Sequence, residues 1–484
     1  MVFSSLIFLL AFLPLQYILY YTVRSITVRN VILLVFSLVF YAWGEPVFVL
    51  ALVGMSFLCW LLARLIDRSQ NKRTRRLLLA AAAVGCLGTL GVFKYGAFAA
   101  GSLNALFGSE LLKAPSVSLP IGISFYTFQL LTYVADVYRG DAPAQRRYWK
   151  VLLYAGLFHQ CVAGPIVRYG DVAREIDDRK ADPAEIARGV SRFAVGLAKK
   201  SLLANACGAA ADALLCADTL SAAEQLAAVT GRSALTLWAG MLFYTLQIYL
   251  DFSAYSDMAI GMGLTCGFHY KENFNYPYAA VSVTDFWRRW HISLGSFFRD
   301  YVYIPLGGNR KGKGRQILNL FIVWSLTGLW HGASWNFVLW GVYYFALLVL
   351  EKFLLGRLLQ KSKLLGRIWV LAAVYFGWIL FRFTDTGVGA AVLGGMFCAN
   401  GNPLYTFESL RFIGGYVPFL LLCAVACTPV VPKLRDALYK RSLDHYYTLR
   451  AYGAFRAVVP AALLVLSVLA LVGDSYNPFL YFRF

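Results

Sequence analysis

Long apolar stretches recur along the whole chain, and they constrain its fold more than any other feature. A helix needs roughly 20 apolar residues to cross the hydrocarbon core of a bilayer. Inside lipid every backbone N–H and C=O must be bonded within the protein, so only helices or closed barrels can cross. Hydrophobic residues make up 59% of the 484 residues and charged residues only 14%, whereas soluble domains carry roughly 25% charged residues. The sequence therefore predicts an all-α polytopic membrane protein.

The apolar stretches predict the positions of the helices. We expect helices over 1–23, 29–44, 46–66, 77–99, 120–137, 150–167, 190–210, 234–265, 317–350, 368–383, 412–431 and 453–473. The segment 317–350 is expected to break into two short helices around Gly332. The N-terminal stretch MVFSSLIFLLAFLPL has no basic region of the kind that begins a signal peptide, so it is expected to be the first spanning helix. The prediction is a single integral-membrane domain over 1–484 with roughly ten to twelve transmembrane or re-entrant helices.

The net charge of +20 comes from basic residues that cluster between the apolar stretches. Clusters of this kind mark cytoplasmic loops by the positive-inside rule, so nucleic-acid binding is not expected. The basic loops are 64–76, 310–315, 352–367 and 433–450, whereas 384–410 has no Lys or Arg. This pattern predicts that both termini lie outside the cytoplasm. The nine cysteines include no CxxC pair, and they predict neither a disulfide framework nor a metal site.

His331 lies in the apolar stretch SLTGLWHGASWNFVLW. A titratable side chain at membrane depth is costly and marks a functional site by default. A neutral imidazole can take a proton from a hydroxyl near neutral pH, so we expect His331 to be a catalytic base. The alternative is a structural histidine bonded to a backbone carbonyl. Trp330, Trp335 and Asn336 are expected to line the same site.

A second histidine, His291, lies in FWRRWHISLGSFFRDYVYIPLGG. Asn, Pro, Arg and Gly recur among aromatics over 270–330, and irregular polar backbone at membrane depth must pack in protein or line a cavity. We interpret this region as the wall of an internal chamber, where His291 positions a donor or shares proton transfer. A histidine at a helix end in the interface is the alternative. The residues expected to bind the donor are Trp287, Arg288, Arg289, Trp290 and Arg299, although the arginines could equally snorkel to the interface.

Other polar residues within or beside the apolar stretches carry weaker signals. Gln247 and Asp251 are four apart and share a helix face, whereas Asp257 points elsewhere. We favour structural pairing of these carboxylates over a proton relay. His159 is expected to be structural, and the remaining two histidines, His269 and His445, lie in polar loops.

The two histidine-containing segments FWRRWHISLGSFFRDYVYIPLGGNR and GLWHGASWNFVLWG resemble the paired histidine regions of the membrane-bound O-acyltransferases. The similarity extends to LPIGISFYTFQLLTYVADVYRG, AGPIVRYGD and YLDFSAYSDMAIG, so the core motifs fall in 118–350. The chain resembles the bacterial branch that includes the alginate O-acetylation membrane protein. His159 is a departure, because relatives usually carry proline there.

The resemblance implies a ring of helices around a central tunnel that leads from a cytosolic donor site to the outer face. It implies that His331 is the catalytic residue and that His291 is the second, more variable one. The implied donor is a thioester, acetyl-CoA or an acyl carrier, with no permanently bound cofactor or metal. The branch works in the bacterial inner membrane with a periplasmic or membrane-anchored polysaccharide acetyltransferase.

The tail over 477–484, which contains PFLYFRF, resembles a C-terminal aromatic motif of these export systems. The resemblance implies that Tyr481 is an acyl carrier, and an aromatic interfacial anchor is the alternative. The predicted function is O-acetylation of a secreted polysaccharide such as alginate. Alternatives are acetylation of peptidoglycan or cellulose, transfer of D-alanine to teichoic acid, and a transporter or flippase without a covalent step.

Overall fold

A computed structural model describes residues 1–108, 112–113, 115, 118–162, 164–443 and 446–473, and its regular elements are all helices. The first eleven α-helices are α1 (Leu13–Thr22), α2 (Ile26–Gly44), α3 (Val49–Arg68), α4 (Lys72–Leu90), α5 (Gly96–Phe107), α6 (Ile123–Arg139), α7 (Tyr148–Gly156), α8 (Tyr169–Asp177), α9 (Pro183–Ala198), α10 (Asn205–Leu214) and α11 (Ala222–Thr230). The others are α12 (Ala234–Thr265), α13 (Val283–Arg289), α14 (Ile292–Phe298), α15 (Gly312–His331), α16 (Trp335–Leu350), α17 (Gly356–Lys361), α18 (Lys363–Arg382), α19 (Thr386–Met396), α20 (Phe407–Ala426), α21 (Val430–Ser442) and α22 (Tyr446–Gly473). Short π-helical turns occupy Phe8–Phe12, Gly91–Tyr95, Lys199–Ala204, Arg299–Tyr303 and Glu351–Leu355, and a 3-10 turn occupies Pro277–Ala279.

Seven helical segments in the described part of the chain are long and apolar enough to cross a membrane. They are Ile26–Gly44, Val49–Arg68, Lys72–Phe107, Trp335–Leu359, Lys363–Arg382, Phe407–Ala426 and Tyr446–Gly473. Phe8–Thr22 and Thr386–Met396 are shorter apolar helices. The prediction of an all-α polytopic membrane protein is therefore confirmed.

The chain divides into two compact units. The first comprises Met1–Phe193 and Tyr255–Glu272. Within it α3 packs on α4, α6 and α7, and aromatic side chains fill the space between its helices, namely Phe3, Phe8, Phe12, Phe40 and Phe158. Buried Arg179 joins distant parts of this unit, because it donates to Oδ1 of Asn30 at 2.7 Å and to the carbonyl of Cys266 at 2.9 Å.

The second unit comprises Ala194–Ala254 and the described residues from Asn273 onward. Helices α15 and α16 form a closely packed hairpin, α16 also packs on α18, and α13 lies against both α16 and α18. Large aromatic side chains form the core between these helices, namely Trp287, Trp290, Trp324, Trp340, Tyr344, Trp378 and Phe381. Both predicted histidines lie in this unit, so the site can be described within it.

Several predicted helix positions agree with the structure, and one does not. Helix α12 has the predicted bounds 234–265, and the predicted break at Gly332 separates α15 from α16. The prediction of one helix over 150–167 is wrong, because α7 ends at Gly156 and buried turns follow it. The N–H of Phe158 in these turns donates to Oγ of Ser37 instead of to a carbonyl one helical turn earlier.

Candidate active site

His331 is the last residue of α15, and only 4% of it is exposed. The next residue, Gly332, ends the helix with an extended backbone, and α16 begins at Trp335. A Cβ atom on Gly332 would lie 2.2 Å from the ring of Phe337, so only glycine fits this connection. The hairpin therefore fixes the position of His331 where one helix turns back into the next.

Aromatic rings surround the imidazole of His331 on several sides. The ring centroids of Trp330 and Trp340 lie 4.9 Å from it, and that of Phe381 lies 5.2 Å away. All three rings are nearly perpendicular to the imidazole, with interplanar angles of 74°, 79° and 76°. Such walls exclude water and keep the local dielectric low, which strengthens any electrostatic interaction formed at the imidazole.

His291 lies between α13 and α14 and is 2% exposed. Its backbone has φ 46° and ψ 55°, a left-handed conformation that is uncommon for a residue with a side chain. Strain of this kind is retained where the surrounding structure holds it, often at functional sites. Nδ1 of the ring lies 3.2 Å from Oδ1 of Asn273, and the ring of Phe252 packs edge-on at 4.8 Å.

The indole of Trp330 contacts both histidines. Its centroid lies 5.6 Å from the imidazole of His291 and 4.9 Å from that of His331. The chain separates the two histidines by 40 residues, yet the fold places them on the same tryptophan. The structure therefore assembles His291, Trp330 and His331 into one buried cluster, which we call the histidine cluster.

The other aromatic and amide candidates divide between the core and the surface. Trp287 packs edge-on against Trp340 at 5.4 Å, and Trp290 is buried in the same core. Asn336 is fully buried, and its Nδ2 donates to the carbonyl of Leu380 at 3.0 Å. Trp335, in contrast, is 59% exposed. These placements give Trp287, Trp290 and Asn336 structural contacts near the cluster and leave Trp335 on the outside of the unit.

The three candidate arginines lie toward the surface. Nε of Arg289 lies 2.8 Å from a carboxylate oxygen of Asp285, one helical turn earlier. Arg299 pairs with the adjacent Asp300 at 2.7 Å and is 65% exposed, and Arg288 is exposed as well. The ion pairs of Arg289 and Arg299 are local, as expected for arginines at an aqueous boundary.

The geometry agrees with the similarity to known proteins. The sequence model of the membrane-bound O-acyltransferase family matches residues 141–384, a range that contains the whole histidine cluster. The chain belongs to the membrane-bound O-acyltransferase family. It is therefore an O-acyltransferase embedded in a membrane by multiple helices.

Relatives in the membrane-bound O-acyltransferase family cover the whole chain. The probable alginate O-acetylase AlgI of Pseudomonas putida is 36% identical over 501 residues, with all of both chains covered. The protein of the same name from Azotobacter vinelandii is also 36% identical, again with all of both chains covered. The peptidoglycan O-acetyltransferase of Helicobacter pylori is 27% identical over all of this chain and 98% of its own length.

The weaker polar candidates of this acyltransferase have structural partners. Asp251 forms an ion pair with Lys200 at 2.9 Å, and Asp257 forms one with Arg192 at 2.9 Å, as the preference for structural pairing predicts.

His159 is fully buried, with Nδ1 3.3 Å from the hydroxyl of Tyr270. Exposed His269 instead lies between Glu175 and Glu185, with ring nitrogens 2.7 and 3.1 Å from their oxygens. Tyr481 and His445 lie outside the described residues.

Two residues that contact His291 or the helix before it were missed in the sequence. Asn273 contacts His291, and buried Glu351 accepts hydrogen bonds at the start of α13 from the N–H of Val283 (2.6 Å) and from the N–H (3.0 Å) and hydroxyl (2.7 Å) of Thr284. A carboxylate at a helix N-terminus satisfies otherwise unpaired N–H groups. The available signal was weak: Glu351 is a lone acid that follows the apolar run Phe337–Leu350.

Proposed function

We propose that the protein O-acetylates a secreted polysaccharide, with alginate as the first candidate, by acyl transfer at the histidine cluster. The observation that carries the proposal is the placement of two buried histidines on one tryptophan within a membrane-bound O-acyltransferase. The polymer is inferred from full-length relatives named for alginate O-acetylation. Peptidoglycan is the second candidate, because a full-length relative is named for that substrate.

In the proposed reaction His331 acts as the general base. Its imidazole takes the proton of an acceptor hydroxyl, and the oxygen attacks the carbonyl carbon of the acetyl thioester. A new C–O bond forms, the C–S bond breaks, and the leaving thiolate takes the proton back from the imidazolium. The products are an acetyl ester and a free thiol, and His331 returns to its neutral form. The aromatic walls of Trp340 and Phe381 keep water from competing with the acceptor.

The acceptor hydroxyl in this proposal belongs to Tyr481. The same chemistry would give an acetyl-tyrosine ester, which a periplasmic or membrane-anchored acetyltransferase would then consume to modify the polymer. The donor would be acetyl-CoA or an acyl carrier on the cytosolic side, where the basic loops are expected. In this proposal the protein lies in the bacterial inner membrane, and its orientation places both termini in the periplasm.

Substitution of His331 tests the reaction. We expect His331→Ala to abolish acetylation of the polymer in cells that lack the native gene, while the variant stays in the membrane at the wild-type level. His269→Gln is the matched control, because this exposed histidine lies outside the histidine cluster and should leave acetylation intact. Unchanged polymer acetylation in His331→Ala would overturn the acyltransfer mechanism and favour a transporter.

Radiolabel tests the acyl carrier separately. Membranes incubated with acetyl-CoA labelled in the acetyl group should yield labelled protein, and Tyr481→Phe should remove the label. Tyr476→Phe, a tyrosine change immediately before the tail, is the control that should retain it. Full polymer acetylation by the Tyr481→Phe variant would refute the carrier step without affecting the role proposed for His331.

A further inference from the structure

The segment that begins at Asn273 pairs with the segment that carries His291. The N–H of Ile292 donates to the carbonyl of Asn273 at 2.9 Å, and the N–H of Asn275 donates to the carbonyl of Arg289 at 2.9 Å. These two bonds lie on either side of His291 and hold its left-handed backbone in place. Asn273 is fully buried, so its side chain has a fixed position beside the imidazole.

The side-chain orientation of Asn273 follows from its contacts. The backbone N–H of Ser293 points at one terminal atom of the amide from 3.1 Å, and the hydroxyl of Ser293 lies 2.8 Å from the same atom. A backbone N–H can only donate, so this atom must be the acceptor oxygen Oδ1 and not the amide nitrogen. The usual ambiguity between the two ends of an asparagine is thereby removed.

The same oxygen determines the proton on His291. Nδ1 of His291 lies 3.2 Å from Oδ1 of Asn273, and an oxygen that only accepts requires a proton on this nitrogen. Nδ1 also lies 3.4 Å from the hydroxyl of Ser293, but that hydroxyl is closer to Asn273 and donates to it. An unprotonated Nδ1 would place its lone pair against a carbonyl oxygen, so the Nδ1–H form is the one that fits.

We propose that Asn273 is a positioning residue that holds neutral His291 in the Nδ1–H tautomer, so that Nε2 is the unprotonated nitrogen and the one that exchanges a proton during acyl transfer. This inference rests on the proposed function, and it assigns His291 a defined reacting atom. The partner on the second nitrogen of an imidazole sets its tautomer and orientation, and such partners matter for activity. Asn273 acts through His291 and needs no contact with the substrate.

The tautomer can be measured without an activity assay. The chain has five histidines, so a variant His291→Gln identifies the His291 signals in spectra of the full-length protein labelled with ¹⁵N-histidine in lipid vesicles. We expect Nδ1 to show a directly bonded proton and Nε2 to show none at neutral pH. A proton on Nε2 with a bare Nδ1 would overturn the proposal. This measurement stands whether or not the protein proves to acetylate a polysaccharide.

Activity measurements test whether Asn273 acts through His291. Asn273→Leu removes the acceptor and should lower the acetylation rate by on the order of 10- to 100-fold. Asn273→Asp keeps an acceptor oxygen at the same place and should retain most of the activity. Asn319→Leu is the control for the loss of a buried amide, because Asn319 bonds to the carbonyl of Gly308 away from the cluster. It should lower thermal stability with a much smaller effect on the rate.

A double-substitution comparison separates positioning from general stability. In a His291→Gln background, Asn273→Leu should cause no further loss of rate, because the residue it positions is already gone. An equal loss in both backgrounds would show that Asn273 is merely structural. Where the His291→Gln background has no measurable rate, the tautomer observed in wild-type protein decides for or against the proposal.

Discussion

Substitution of Gly328 should displace His331 without touching it. Gly328 lies on α15 three residues before His331, where α15 packs closely on α16. A Cβ atom there would lie 2.3 Å from the carbonyl oxygen of Phe337 and 3.2 Å from Cα of Gly341. Close carbon–oxygen contacts in proteins are ordinarily about 3.3 Å or longer, so Gly328→Ala must separate the two helices by about 1 Å at this point.

Gly328→Ala should lower both the stability of the protein and its activity. Overpacking of this size costs about 1–3 kcal/mol of the free energy of unfolding. A displacement of about 1 Å in a catalytic group can lower the rate by on the order of 100-fold. We therefore expect Gly328→Ala to fold and reach the membrane but to acetylate polymer about 100-fold more slowly. Gly341→Ala should behave alike, because its Cβ would lie 2.4 Å from the carbonyl oxygen of Trp324.

The assay compares the acetylation rate per amount of purified protein with the thermal unfolding midpoint in the same detergent. Gly414→Ala in α20 is the matched control, since within the described part of the chain no atom beyond the neighbouring backbone of α20 lies within 4 Å of its added Cβ. That control should keep the wild-type rate. A Gly328→Ala variant with wild-type rate and midpoint would refute the argument that close packing of the hairpin positions His331.

Three further predictions concern charged groups in the two units. The side chains of Lys200 and Asp251 form an ion pair and are 3% and 2% exposed. Lys200→Met alone leaves a buried charge unpaired and should lower the free energy of unfolding by about 3–5 kcal/mol. Adding Asp251→Leu removes that charge and should restore most of the lost free energy, as measured by denaturant titration. Glu351→Gln should lower the free energy of unfolding by about 1.5–3 kcal/mol and reduce the acetylation rate, because Glu351 holds the start of α13. Glu408→Gln, at an exposed position, is the control that should change neither the free energy of unfolding nor the rate. Hydrogen bonds to Glu185, and to a smaller extent to Glu175, raise the pKa of His269 above its ordinary 6.5. Protonated His269 should therefore stabilise the folded protein fully below about pH 6.5, and this contribution should be lost as pH rises through the raised pKa. Thermal midpoints measured across that pH range should show the loss in wild-type protein and not in His269→Gln; identical pH profiles would contradict the assignment.

The sequence predicted features that depend on local composition. Helix α12 was predicted with its observed bounds because apolar residues run through it without a proline, and the break at Gly332 was predicted from the glycine itself. The two histidines stood out because titratable rings are rare in apolar surroundings. Their shared contact with Trp330 could not be predicted from spacing, since 40 residues separate them.

Features that depend on distant contacts were missed. The helix predicted over 150–167 ends at Gly156 because the turns after it are stabilised by a residue 121 positions away, Ser37. Glu351 is bonded to backbone groups 67 and 68 positions earlier, at Thr284 and Val283. Neither pairing leaves a periodic pattern in the sequence, because each depends on how the helices pack and not on how they form.

The contacts of Glu351 also explain how the α15–α16 hairpin can fix the positions of both histidines. Helix α16 starts just after His331, and the residue after its last one is Glu351, which fixes the start of α13. Helix α13 in turn ends just before Trp290 and His291. The α15–α16 hairpin thus positions His331 directly and His291 through a carboxylate at its far end. A shift in the hairpin would move both histidines relative to Trp330, so Gly328→Ala should resemble loss of a histidine in its effect on rate while every titratable group is still present.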